Sequence, residues 1–61
     1  MKITSDQFNR FQIDYIDLNP YKQRLGQYFC NYFDITDTEL FYETNQEKSV
    51  CKIVYYYLDN Y

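Results

Sequence analysis

Sixty-one residues suffice for one small domain at most, a size at which only about 60% of the unfolded surface is buried and stability is marginal. Apolar residues make up 46% of the chain and aromatics 23%, with nine Tyr and five Phe, which is ring surface enough for a core and argues against disorder. Nine acids against six bases leave a formal charge of -3, the wrong sign for a strong nucleic-acid binder, and one Gly with one Pro is too few for the turns of a strand-and-hairpin architecture. The expectation is an all-α fold spanning residues 1–61 as a single small helical domain, built from three main helices and one short helix.

The first helix is predicted over about residues 6 to 18, with Ser5 as its N-cap and Asp6 in its first turn. Phe8, Phe11, Tyr15 and Leu18 follow at spacings of three and four, on one stripe. Asn19 and Pro20 then form a sharp corner, because Pro disfavours the α conformation in the residue before it and suits the first helical position. The second helix runs from about Pro20 to Phe33 with Tyr21, Leu25, Tyr28, Phe29, Tyr32 and Phe33 as its apolar set, extended on one side by Gly26 and Cys30. A mid-helix Gly costs about 1 kcal/mol relative to Ala. Its presence predicts that another backbone approaches there, with this helix at the centre of the fold.

Thr36 to Glu39 reads as a capping box opening a short helix at about residues 37 to 43, which carries Leu40 and Phe41. A second box at Thr44 to Glu47 opens the last helix, about Gln46 to Asp59, with Val50, Ile53, Val54, Tyr57, Leu58 and Tyr61 on its stripe. Val, Ile and Tyr are also good strand formers, so Val50 to Leu58 stands as helix or strand at this level. The expected core is Phe11, Leu25, Phe29, Val54 and Leu58.

Chemistry has little to work with. The chain has no His, and a cysteine nucleophile at Cys30 or Cys51 needs such a base. Two thiols without His do not complete a four-ligand zinc site in one chain unless carboxylates or a second subunit help, and neither spacing suggests that. No catalytic residue, no cofactor and no metal is expected, and the protein is read as not an enzyme. The longest apolar run, Ile53 to Leu58, is six residues against the roughly 20 that cross a bilayer, so a soluble protein without membrane contact is expected. No apolar signal segment follows Met1, which points to a reducing cytosol and free thiols. Tyr21-Lys22-Gln23-Arg24 interleaves rings with bases, but two bases are too few for a nucleic-acid partner.

Between Asp34 and Glu47 lie five acids and no base, whereas Pro20 to Phe33 carries Lys22 and Arg24 and no acid. These are solvated faces, or a polar contact with a partner. Ile13 and Ile16 fall off the first helix's stripe, and Tyr55 and Tyr56 off the last helix's. In so small a protein these residues make a candidate partner-binding or self-association surface, where Tyr is enriched.

The segment Asn19-Pro20-Tyr21-Lys22-Gln23-Arg24-Leu25-Gly26-Gln27-Tyr28-Phe29-Cys30-Asn31 resembles short proteins encoded by tailed bacteriophages, which share an Asn-Pro, then Arg-x-Gly-Gln, then an aromatic and Asn. Glu39-Leu40-Phe41-Tyr42-Glu43 is similar to the acidic aromatic segment that often follows, so the resemblance covers about half the chain. It implies a phage origin and action in the host cytoplasm, and carries no catalytic residues. Its polar members Arg24, Gln27 and Asn31, spaced i, i+3 and i+7, either bind a partner or brace a neighbouring helix. The expected function is that of a non-enzymatic phage accessory protein, of the host-takeover kind, that binds a host or phage protein and modulates its activity. The alternative is a structural or self-assembling small helical protein, a homo-oligomer using Ile13, Ile16, Tyr55 or Tyr56.

Overall fold

The first helix is capped one residue earlier than expected. Thr4, rather than Ser5, makes the capping box: the Gln7 amide donates to Thr4 Oγ1 at 3.1 Å and the Thr4 amide donates to Gln7 Oε1 at 2.8 Å. Helix α1 follows over Ser5–Leu18 in a computed structural model that describes residues 2–18 and 22–59. Its stripe meets the core through Phe8, Phe11 and Tyr15, but Leu18 is exposed at the helix end and Asp14 is buried instead.

Helix α2, Leu25–Phe33, begins later than expected. Lys22 sits at φ 51, a left-handed conformation that a helix does not continue through, and Arg24 is an extended N-cap without a side-chain cap bond. The predicted corner at Asn19 and Pro20, and Tyr21 of the apolar set, lie outside the described residues. At the other end Asp34 takes a left-handed cap at φ 55, and the Asp34 and Ile35 amides both donate to the Cys30 carbonyl.

Helix α3, Thr38–Tyr42, and helix α4, Gln46–Tyr56, are each capped one residue later than the boxes read from the sequence. Asp37 Oδ1 accepts from the Leu40 amide at 3.1 Å, and Asn45 Oδ1 from the Lys48 amide at 3.1 Å. The Val50 to Leu58 run is helical as far as Tyr56. Leu58 leaves the helix and makes an isolated parallel bridge with Ile3: the Ile3 amide donates to Tyr57 O, and the Asp59 amide to Ile3 O, each at 2.8 Å.

The result is a small all-α bundle, three longer helices and one short one among the described residues, in which α2 packs against each of the other three. Gly26 explains how α3 comes so close. A methyl group placed on it would overlap the Leu40 carbonyl oxygen, with the carbonyl carbon at 3.1 Å, so only a residue without Cβ lets the two backbones meet. The core contains Ile3, Phe11, Leu25, Phe29, Cys30, Leu40 and Ile53. Phe11 is its hub, with the rings of Phe8, Tyr15, Tyr28, Phe29, Tyr32 and Phe33 between 5.2 and 6.4 Å away.

Two expected core residues stand differently. Val54 is 36% exposed, and Leu58 is only partly buried against the core. The buried face of α4 is instead Ser49 and Ile53, continued by Tyr57, whose ring lies 5.3 Å from Phe29. Tyr57 OH also donates to Asp37 Oδ2 at 2.6 Å, and Ser49 Oγ to Asn45 O at 3.1 Å. With its hydroxyl answered within the helix, Ser49 can be buried, and the Tyr57 anchor turns Val54 outward.

Candidate protein-binding surfaces

Three sets of side chains were candidates for contact with a partner, and the fold treats them differently. Arg24 reaches across to α3, where its Nη2 donates to the Phe41 carbonyl at 3.0 Å, so it ties the start of α2 to the end of α3. Gln27 is half-buried one turn on. Asn31 is exposed and lines a groove of about 320 Å³ between the end of α2 and α3, with Ile35, Thr36 and Phe41 among its other walls. The three therefore do not present one open polar face.

Ile13 and Ile16 are neighbours on the outer side of α1 and turn away from the aromatic hub, with Ile16 79% exposed. Tyr55 and Tyr56 are exposed at the end of α4, packed edge to face with ring centroids 4.8 Å apart. The sequence reading did not foresee that α4 keeps an apolar outer strip. Val50, Cys51, Val54 and Tyr55 line one shallow groove along it, and Gln46, Glu47, Val50 and Cys51 line the next. The signal was present in the sequence: apolar residues on α4 outnumber the positions that one buried face can take.

Polar side chains around the core are largely satisfied. Asp14 is buried because Tyr32 OH donates to its Oδ2 at 2.6 Å and Arg10 Nε lies 3.5 Å from its Oδ1. Donation to Asp14 is the main cause that raises the Tyr32 pKa. Asp37 accepts from Tyr57, and this bond is the main cause holding its carboxyl below the ordinary range. Burial foremost, then the bond to Asp37, pushes Tyr57 up to about 12. Lys52 joins α4 to α3, with Nζ 3.2 Å from Glu39 Oε1 and 3.1 Å from Glu43 Oε1.

Both cysteines are free thiols. Burial pushes the Cys30 pKa up, and its Sγ lies 3.8 Å from the Asp37 carbonyl, which leaves a packed thiol rather than an activated one. Cys51 is exposed on the outer strip of α4, so the packing of α2 on α4 does not bring the pair together. Among the described residues no group of three His, Cys, Asp or Glu is arranged to hold a metal ion, and no helix is long and apolar enough to cross a membrane.

No protein-family model, curated protein or solved structure matches the chain.

Proposed function

We propose that this chain is a non-enzymatic accessory protein of a tailed phage, which binds a host or phage protein in the host cytoplasm and alters its activity. The phage setting rests on the resemblance of Asn19 to Asn31 and of Glu39 to Glu43. Binding rests above all on the outer face of α1, where Ile13 and Ile16 expose branched aliphatic surface beside each other although the same helix buries Phe11. Desolvating such a pair on contact with a partner is favourable by about 25 cal/mol for each Å² of apolar surface removed from water. The absence of His and the packed Cys30 thiol favour binding over catalysis.

Capture from host lysate at physiological salt tests this reading. The expected result is a specific protein retained by the native chain and released by Ile16→Asp, whose helical circular dichroism stays native because the side chain is exposed. Retention of nothing specific by the native chain would overturn it. The outer strip of α4 favours a second reading, self-association, since a chain this short gains stability from an oligomeric contact.

A further inference from the structure

We infer that the outer face of α1 takes a basic partner, an amphipathic helix whose aliphatic side chains cover Ile13 and Ile16 while its Lys or Arg side chains meet Asp17 and Asp6. The inference rests on the binding reading of this face and adds the chemistry of what it takes. At about 3.6 residues per turn, Asp6, Ile13 and Asp17 fall on the side of α1 away from Phe8, Phe11 and Tyr15, with Ile16 beside them. All four are exposed.

The electrostatics of α1 select the sign of the partner. The helix carries three carboxylates and one base. That base, Arg10, is turned to the buried Asp14, with Nε 3.5 Å from Oδ1, and the ion pairs among the described residues leave Asp6 and Asp17 out. Asp6 lies in the first turn, where the positive end of the helix dipole stabilises a carboxylate. Asp17 lies in the last turn, at the negative end, with no basic side chain in that turn. The free chain thus keeps a charge where its own backbone disfavours it, next to an isoleucine that is 79% exposed. A cation brought by the partner relieves the first while its aliphatic surface covers the second.

The same charges disfavour the other occupants. A second copy laid antiparallel on this face sets Asp17 against Asp6 of the partner subunit, and a parallel one sets like against like. An anionic lipid surface meets the same two carboxylates.

Selection from a displayed library of amphipathic helical peptides, constant in their aliphatic stripe and random at the flanking positions, tests this with the full chain as bait. The expected result is enrichment of Lys and Arg at those positions by the native chain, and of Asp and Glu by Asp17→Lys. Glu47→Lys, the same change of net charge at an exposed position on α4, is expected to select as the native chain does. For a peptide so selected, Ile16→Asp weakens binding at least about tenfold, and Asp17→Asn about threefold at low salt, a difference that shrinks as salt rises. Asp17→Lys also raises the midpoint of thermal unfolding, because a cation suits the last turn, so its altered selection does not come from misfolding. No enrichment of cations, or the same cations selected by Asp17→Lys, overturns the inference, as does a face that prefers anionic vesicles or a second copy in sedimentation. A lysate partner released by Ile16→Asp but indifferent to Asp17→Lys leaves the binding reading standing and removes this inference alone.

Discussion

At Gly26 a single missing methyl group sets how near α3 can come to α2. Alanine there gains the usual helix propensity of about 1 kcal/mol over glycine, but its Cβ collides with backbone, which cannot rotate away as a side chain would. Gly26→Ala is therefore expected to destabilise the fold by about 1–3 kcal/mol net, measured by urea denaturation. The Asp37–Tyr57 pair acts at the same scale and gives stability a pH dependence at both ends. Asp37 titrates lower when folded, so its contribution is complete above the ordinary carboxylate value and is lost as pH falls through the folded one. Tyr57 titrates higher when folded, so its contribution is complete below the ordinary value of 10.0 and is lost as pH climbs toward about 12. Tyr57→Phe is expected to cost about 1–2 kcal/mol near neutrality, to flatten the alkaline loss, and to let Asp37 titrate closer to its ordinary value in carbon-detected NMR.

At the scale of the element, the caps hold the helices at their registers. Asn45→Ala removes one cap bond and is expected to cost about 1 kcal/mol; Asp37→Ala removes a cap bond and the Tyr57 partner together and is expected to cost more, both read as shifts in the denaturation midpoint. These caps also mark where sequence reasoning stopped. Helix content, the centrality of α2 and the backbone contact at Gly26 were legible, because ring spacing and a lone mid-helix Gly carry them. The caps of α1, α3 and α4 were misplaced by one, since Thr4-Ser5, Thr36-Asp37 and Thr44-Asn45 each set two cap-competent side chains next to each other, and the start of α2 was set five residues early, at Pro20 rather than Leu25. Local chemistry does not choose between such neighbours; the distant Tyr57 hydroxyl favours Asp37. Ile53 and Val54 both lay on the apolar stripe read for the last helix, which is wider than one buried face, and placing Val54 rather than Ile53 in the core concealed the outer strip of α4. Ile13, Ile16, Tyr55 and Tyr56 are exposed, as positions off the stripes imply, whereas Arg24 was drawn inward by a carbonyl on α3 that no local pattern reveals.

At the scale of the whole molecule, the fold is fastened by residues far apart in the chain. Ile3 is fully buried, belongs to no helix, and reaches the core through its bridge to Leu58. Ile3→Ala is expected to cost about 2–5 kcal/mol, against a total of only about 3–9 kcal/mol for a domain of this length, and thus to leave much of the chain unfolded by circular dichroism at room temperature. The burial difference between the two thiols gives a second global readout. In native protein Cys51 is expected to react at once with an aromatic disulfide reagent and Cys30 only from the opened bundle, so that at reagent concentrations where reclosing outruns the reaction the slow phase measures the opening equilibrium.

The bridge between Ile3 and Leu58 also decides when folding can finish. Helices α1 to α4 close through contacts shorter in sequence than this one, of the kind that form in microseconds to milliseconds, whereas the bridge joins position 3 to position 58. On a growing chain the Ile3 bridge waits until Leu58 has been made, although the rest of the cluster that Ile3 joins lies earlier in the sequence. The helical nucleus can then assemble without it, and Ile3 and Leu58 dock afterwards. A conservative change such as Ile3→Val would in that case leave the folding rate almost untouched and appear nearly entirely as faster unfolding, which places the lifetime of the native state, rather than the speed of reaching it, in the hands of two residues far apart in sequence.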